Sequence, residues 1–246
     1  MTDPTVIRII PTEARYAPQM EALTDLVYNI PPGGDPGECL RAEHFRHHVE
    51  IFPEGQFIAL VDTPEGEQVV GLTASMRIVF DPEHPFIEPW KVTISGGWLR
   101  RHTPDADWMY GVESCVHPDF RGSGIGGRLM EARFAVAKAL NVRGMVAGGT
   151  LMDYCLEAER ASPEEYLQGV IDGRFIDGNV TKQIRKGFQP IALIPNYVHD
   201  PCSLGWGAVI VWRNPDYDPA QPTRLHLPED FTPPVGSFPL KKRVSG

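Results

Sequence analysis

The stretch WMYGVESCVHPDFRGSGIGGRLMEARFAVAKALN, residues 108–141, leaves the fold little freedom, because it joins an apolar strand, a glycine loop and an amphipathic helix without a break. Trp108–Val116 is rich in aromatic and branched residues, and Pro118, which has no N–H to give a ladder, closes it. Ile125, Leu129, Ala132, Val136 and Leu140 then recur at helical spacing, which predicts a helix from near Gly124 with its stripe against a sheet. Between the two, Arg121-Gly122-Ser123-Gly124-Ile125-Gly126 is nearly bare of side chains and leads successive backbone N–H groups into the helix start. Such a loop is an anion site. Unpaired N–H groups and the helix dipole favour phosphate by about 0.3–1 kcal/mol per dipole interaction, and by up to about 2 kcal/mol when partly buried. A Cβ in the loop would hold the phosphate away.

Two phosphate ligands compete for this pattern. Gly122, Gly124 and Gly127 satisfy the dinucleotide spacing, but that fold also needs an acid at the end of the next strand to hold the ribose. The next strand, at 143–147, ends in Gly148-Gly149-Thr150, so the acid is missing. The other pattern, R-x-x-G-x-G preceded by V-x-P, is carried by Val116-His117-Pro118 and Arg121 to Gly126. It resembles the acetyl-coenzyme A (acetyl-CoA) loop of the GNAT N-acetyltransferases. The resemblance implies an α/β (α+β type) GNAT fold: a mixed, mostly antiparallel sheet flanked by helices, here with an inserted segment before the central strand. It further implies that Val116, His117, Arg121, Gly122, Ser123, Gly124, Ile125, Gly126 and Gly127 hold the coenzyme as cosubstrate, without a metal. Residues 80–217 are also similar to the acetyltransferase module found fused to nitrilase-like carbon–nitrogen hydrolases, and a stand-alone version of that module is expected.

The 42% hydrophobic and 22% charged fractions are those of an ordinary soluble chain, large enough for a sizeable core. No apolar run reaches the roughly 18–20 residues of a membrane span, and the first ten residues lack a signal-peptide layout, so a cytoplasmic protein that binds no membrane is expected. The net charge of −9 speaks against nucleic acid as a partner and suits a cationic amine. Four cysteines without zinc spacing predict free thiols.

Taken in order, the chain predicts a strand at 6–10 and a helix carrying Met20, Leu23, Val27 and Ile30. A loop follows at Pro31-Pro32-Gly33-Gly34-Asp35-Pro36-Gly37. A second helix from about Glu38 is expected to present His44, His47 and His48 to solvent, and a strand follows at 56–61. A long strand around 70–80 alternates with period two, so that one face belongs to the core. The connection 81–107 far exceeds the two to five residues of a hairpin and carries Phe86, Trp90, Ile94, Trp98 and Leu99. It is either a flap or accessory hairpin over the acceptor site, with Trp90, Trp98 and His102 lining the pocket, or a domain-edge or homodimer contact. Ser162-Pro163-Glu164-Glu165 opens a helix with a capping box, and a further helix ends at Lys186-Gly187-Phe188 before the last strands at 191–194 and 205–213. The acetyltransferase domain is taken as 1–213, and the proline-rich tail 214–246, which has no helix or sheet pattern, as an extended cover.

Function follows from the loop and from one carboxylate. An alkylamine is protonated at pH 7, and freeing its lone pair costs about 4.6 kcal/mol, so transfer to an amine benefits from a base. Glu113, mid-strand where a carboxylate is costly to bury, is the catalytic candidate, against a structural role bracing 81–107. Tyr110 is the alternative, on the opposite face if the strand is regular. Many GNAT enzymes carry a tyrosine four residues before the glycine of a G-F pair; here Gln183 occupies that place, counted with the coenzyme-binding set, and Tyr154, Tyr166 or water would have to replace it. Cys115 is read as packing. Two functions stand: an N-acetyltransferase acting on a primary amine of a small molecule or peptide, or a non-catalytic acyl-CoA-binding or sensing module. Either requires the loop. Gly124→Val is therefore expected to abolish coenzyme A binding in calorimetry while leaving the circular dichroism of the folded chain intact; undiminished affinity would refute the pyrophosphate placement.

Overall fold

The computed structural model of the chain describes residues 6–30 and 38–240; the turn-rich run 31–37 and the basic Lys241-Lys242-Arg243 lie outside them. The strands are β1 (Val6–Pro11), β2 (Phe57–Thr63), β3 (Gly66–Ile78), β4 (Trp108–Val116), β5 (Gly144–Thr150), β6 (Gln189–Ile194), β7 (Gly207–Arg213) and β8 (Gly236–Pro239). They form one sheet in the order β6-β7-β5-β4-β3-β2-β1-β8. β4 and β5 run parallel and every other neighbouring pair antiparallel. A parallel pair needs a crossover, and the helix predicted after the glycine loop, α4 (Ile125–Ala139), supplies it. Its stripe residues Ile125, Leu129, Ala132, Val136 and Leu140 are at most 1% exposed, each worth a few kcal/mol of apolar burial at the larger side chains.

Two cores result, one on each face. α4 packs on one face together with α5 (Pro163–Ile171) and α6 (Val180–Arg185). The other face is covered by α1 (Ala17–Tyr28), α2 (Ala42–Ile51) and the short α3 (Trp90–Thr93). Local chemistry sets the ends of these helices. Ser162 Oγ accepts from the Glu165 N–H at 3.2 Å while the Glu165 carboxylate accepts from the Ser162 N–H at 2.9 Å, which is the predicted capping box. Gly187, at φ 95°, ends α6 in the left-handed conformation that a Cβ disfavours.

Several expectations change in three dimensions. β3 was read as having one core face, but from Val69 to Ile78 both faces are buried, because helices cover both sides of a central strand. α2 begins at Ala42 rather than near Glu38, and its histidines do not form a solvated face: His44 and His48 are buried under the 81–107 connection. The Gly97 carbonyl lies 2.7 Å from His48 Nε2, and the edge of the Trp98 ring meets His44. Burial holds the His48 pKa down at about 4. Cys155 and Cys202 are not free thiols but form a disulfide.

The tail also has a sheet partner. β8 pairs antiparallel with β1, covering an edge that would otherwise present open N–H and C=O groups. On the way to it, the Arg224 carbonyl accepts from Arg77 Nη1 at 2.7 Å, and Asn141 ties down the backbone of Asp218 and Gln221. Arg77, 1% exposed, also donates from Nε and Nη2 to the Ala106 carbonyl, so the tail supplies one of the two carbonyls that solvate a buried guanidinium. Phe238 is 7% exposed beneath the Arg128 guanidinium. Phe238→Ala is expected to cost about 3 kcal/mol in denaturant unfolding; an unchanged midpoint would mean that β8 contributes nothing to stability.

Candidate active site

The register of β4 against β3 skips a residue: Glu113 faces Ala74 and Gly111 faces Ser75, leaving Val112 as a bulge. Tyr110 lies opposite Met76, and Met76 and Ala74 both point into the core under α1 and α2. The extra residue therefore brings Tyr110 and Glu113 to the same face, which a regular strand forbids. The bulge also turns β4 away from β5. Their pairing runs from Trp108 with Gly144 to Gly111 with Ala147 and stops, and beyond it the strands part as a fork.

Aromatic side chains from two loops hold the arms of the fork. On the β4 arm, Trp90 Nε1 donates to the Val112 carbonyl at 2.9 Å; on the β5 arm, Tyr197 Oη donates to the Gly148 carbonyl at 3.1 Å. The Trp90 N–H donates to the Tyr197 carbonyl, joining the two braces. A Cβ on Gly148 would fall 2.1 Å from Tyr197 Oη, so only glycine allows this approach. Inside the fork is a cavity of about 350 Å3 lined by residues from both faces of the sheet.

Glu113 lines this cavity with the Tyr28 hydroxyl donating to its Oε1 at 2.6 Å and the Ser114 N–H donating to the same oxygen at 2.8 Å. Tyr28 is 47% exposed and Glu113 half-buried, and both line the cavity. Burial raises the Glu113 pKa, opposed by the Tyr28 hydroxyl, the Ser114 N–H and the positive charge of Arg133. Burial likewise pushes Tyr28 well above its usual value. Tyr110 is 1% exposed and does not line the cavity; burial raises it to about 12, with the Tyr197 and Thr93 hydroxyls beside it. Cys115 is buried and its thiol is pushed well above the usual value by the same cause, which disfavours the thiolate.

The glycine loop lies at the start of α4. Gly122 and Gly124 have φ of 80° and 93°, and among the described residues the amides of Gly124, Ile125, Gly126 and Gly127 have no acceptor. A Cβ on Gly126 would meet Val116 at 3.8 Å and one on Gly127 would meet Lys186 Nζ at 3.3 Å. Bare amides, a helix start and a nearby ammonium fit the phosphates of a nucleotide-type ligand. The neighbours have structural contacts instead. Ile125 is in the core, Ser123 Oγ donates to the Phe120 carbonyl, His117 Nδ1 accepts from the Asp119 N–H, and Arg121 Nε donates to the Val116 carbonyl at 3.4 Å.

Of the remaining sequence candidates, Trp90 and Gln183 line the cavity, with Gln183 donating to Asn179. Trp98 and His102 do not; they pack against His44 and His47 and against Phe52, because the 81–107 connection folds down onto α2. Neither tyrosine considered as a replacement acid reaches the cavity: Tyr154 donates to the Ala161 carbonyl and Tyr166 to Asp177. Tyr28, Tyr197 and Arg133 do line it, and sequence reasoning missed them. Arg133 sits within the helical pattern of α4, but no spacing pointed to Tyr28 or Tyr197.

A forked mixed sheet with a glycine loop and a helix start of bare amides beside the fork is the architecture of a coenzyme A-dependent acyltransferase. The family model described as the acetyltransferase (GNAT) family matches residues 20–154, and the chain belongs to that family. It is 35% identical over 208 residues to the probable hydrolase YhcX of Bacillus subtilis (strain 168), covering 84% of this chain. The chain spans only 39% of YhcX. It is also 28% identical over 202 residues to the uncharacterized N-acetyltransferase YkwB of the same organism, covering 82% of this chain and 87% of YkwB. The GphF GNAT-like decarboxylase in complex with isobutyryl-CoA shares the fold, with a TM-score of 0.66 at 19% identity over 84% of this chain and 99% of that one. The loading GNATL domain of CurA from Lyngbya majuscula does so with a TM-score of 0.61 at 17% identity, over 85% and 98%.

Trp90→Phe keeps the ring and removes the donor to the Val112 carbonyl. The expected cost is about 1–2 kcal/mol in denaturant unfolding. A smaller loss would mean that the bulge holds its shape without the indole.

Proposed function

We propose that the chain transfers an acyl group from acyl-CoA directly to a primary amine of a small molecule or peptide, acetyl-CoA being the donor that the family resemblance implies. The observation that supports this most directly is the Glu113 carboxylate, open to the fork cavity and held by Tyr28 and Ser114. In this reading the coenzyme phosphates rest on the bare amides at the start of α4 and the thioester lies in the fork. Glu113 takes a proton from the ammonium of the acceptor, directly or through one water. The freed nitrogen attacks the thioester carbonyl, the C–S bond breaks, and the second proton of the nitrogen passes through water or a cavity hydroxyl to the departing thiolate, leaving an amide and the free thiol. A thiolate of pKa near 8.5 needs little help to leave, so the glutamine at 183 does not block the reaction.

Thiol release from acetyl-CoA across a library of amines tests the proposal. Release that depends on the amine supports transfer; coenzyme binding with silence across the whole panel supports the sensing module, which the absence of tyrosine at 183 favours. A general base typically contributes about 100- to 10,000-fold, so Glu113→Gln is expected to lower kcat/KM within that range at neutral pH and to spare coenzyme A affinity. The wild-type rate is expected to rise with pH through an ionisation above the usual carboxylate value, because only the deprotonated form accepts a proton and burial raises the pKa. The Tyr28 hydroxyl stabilises the carboxylate, so Tyr28→Phe is expected to move that rise to higher pH. An unmoved profile would remove Glu113 from the reaction.

A further inference from the structure

Arg133 is 4% exposed, lies on the α4 side of the fork and lines the cavity. Among the described residues it has no carboxylate within ion-pair distance: Nη2 touches Met130 Sδ at 3.5 Å, and Nε is buried without a partner. Its Nη1 lies 2.9 Å from where a Cβ on Gly111 would be, so glycine at 111 lets the guanidinium lie against β4 where the fork opens. Met130, Met145, Ala147 and Ile210 line the cavity with it, as do the polar Thr150, Asn179 and Gln183. Burial lowers the pKa to about 10, partly offset by the charge of Glu113, so the group stays protonated at neutral pH. A buried cation without a partner is expensive, and the comparable Arg77 elsewhere in this molecule makes three hydrogen bonds to two carbonyls. Arg133 has no such set.

Its position says what the missing partner belongs to. Arg133 lies about 12 Å along α4 from the first residue of the helix, and Gly111 roughly 16 Å along β4 from Val116. Both paths lead from the phosphate loop to the base of the fork. A coenzyme anchored at the loop and threaded through the fork presents its thioester there, with the acyl tail beyond it. Residues that would meet an amine, Tyr28 and Glu113 among them, stand toward α1, whereas Arg133 stands on α4. We propose that Arg133 receives the free carboxylate of a short dicarboxylic acyl group, such as succinyl or malonyl, carried on coenzyme A. The assignment rests on the cavity being the acyl-CoA site, and it makes acetyl-CoA the weaker donor.

Calorimetry with coenzyme A, acetyl-CoA and succinyl-CoA tests it on the whole chain. A charge-assisted pair at a buried guanidinium is expected to favour succinyl-CoA over acetyl-CoA by about ten- to a hundredfold in Kd. Arg133→Gln is expected to erase that preference and leave coenzyme A affinity unchanged, while Arg133→Lys retains part of it. Equal affinities for the two thioesters in the wild type overturn the assignment, and this comparison needs no variant to fold. A uniform loss with all three ligands in a folded Arg133→Gln protein also overturns it, because the guanidinium would then be holding the pantetheine arm. Failure of all three to bind the wild type is a separate result: it removes the acyl-CoA reading of the cavity, and the donor assignment with it.

Discussion

The single extra residue at Val112 is the constraint on which the site depends. A β-bulge leaves a carbonyl outside the ladder, and such a group, buried and unpaired, costs about 1–3 kcal/mol. Here the indole of Trp90 meets it. With that bond made, β4 diverges from β5 after Gly111, the cavity exists, and Glu113 turns to the face where Tyr28 can reach it. The 81–107 connection thus holds the fork open through Trp90 while its second tryptophan, Trp98, packs on α2.

The same burial acts in opposite directions on the two charged groups of the cavity. It raises the carboxyl pKa of Glu113 toward the range useful to a base, and it lowers that of Arg133 without discharging it. Each charge eases the other through space, yet the hydrogen-bond partners of Glu113 are already Tyr28 and Ser114. The site therefore holds a negative group facing α1 and a positive group facing α4.

How far the chain could be read without coordinates varies with the range of the interaction. The strand, loop and helix of 108–141 were legible because each rests on neighbours in sequence: apolar alternation, glycines with positive φ, and a stripe at helical spacing. The capping box at Ser162 and the glycine stop at 187 were legible for the same reason. Glu113 stood out because a carboxylate in an apolar strand needs an explanation. Burial of His44 and His48, pairing of Cys155 with Cys202, and pairing of β8 with β1 were not legible, since each depends on a partner remote in sequence.

By itself the sequence determined the acyltransferase family and the strand, glycine loop and helix of 108–141, because these are written in contiguous residues whose backbone geometry follows from their own chemistry. The tertiary structure alone decided which side chains share the cavity. Tyr28 comes from the end of α1, Arg133 from the middle of α4 and Tyr197 from the loop between β6 and β7, and they converge only because a skipped residue in one ladder parts two strands. Register is a property of a pair of strands, and a single strand's composition does not specify it.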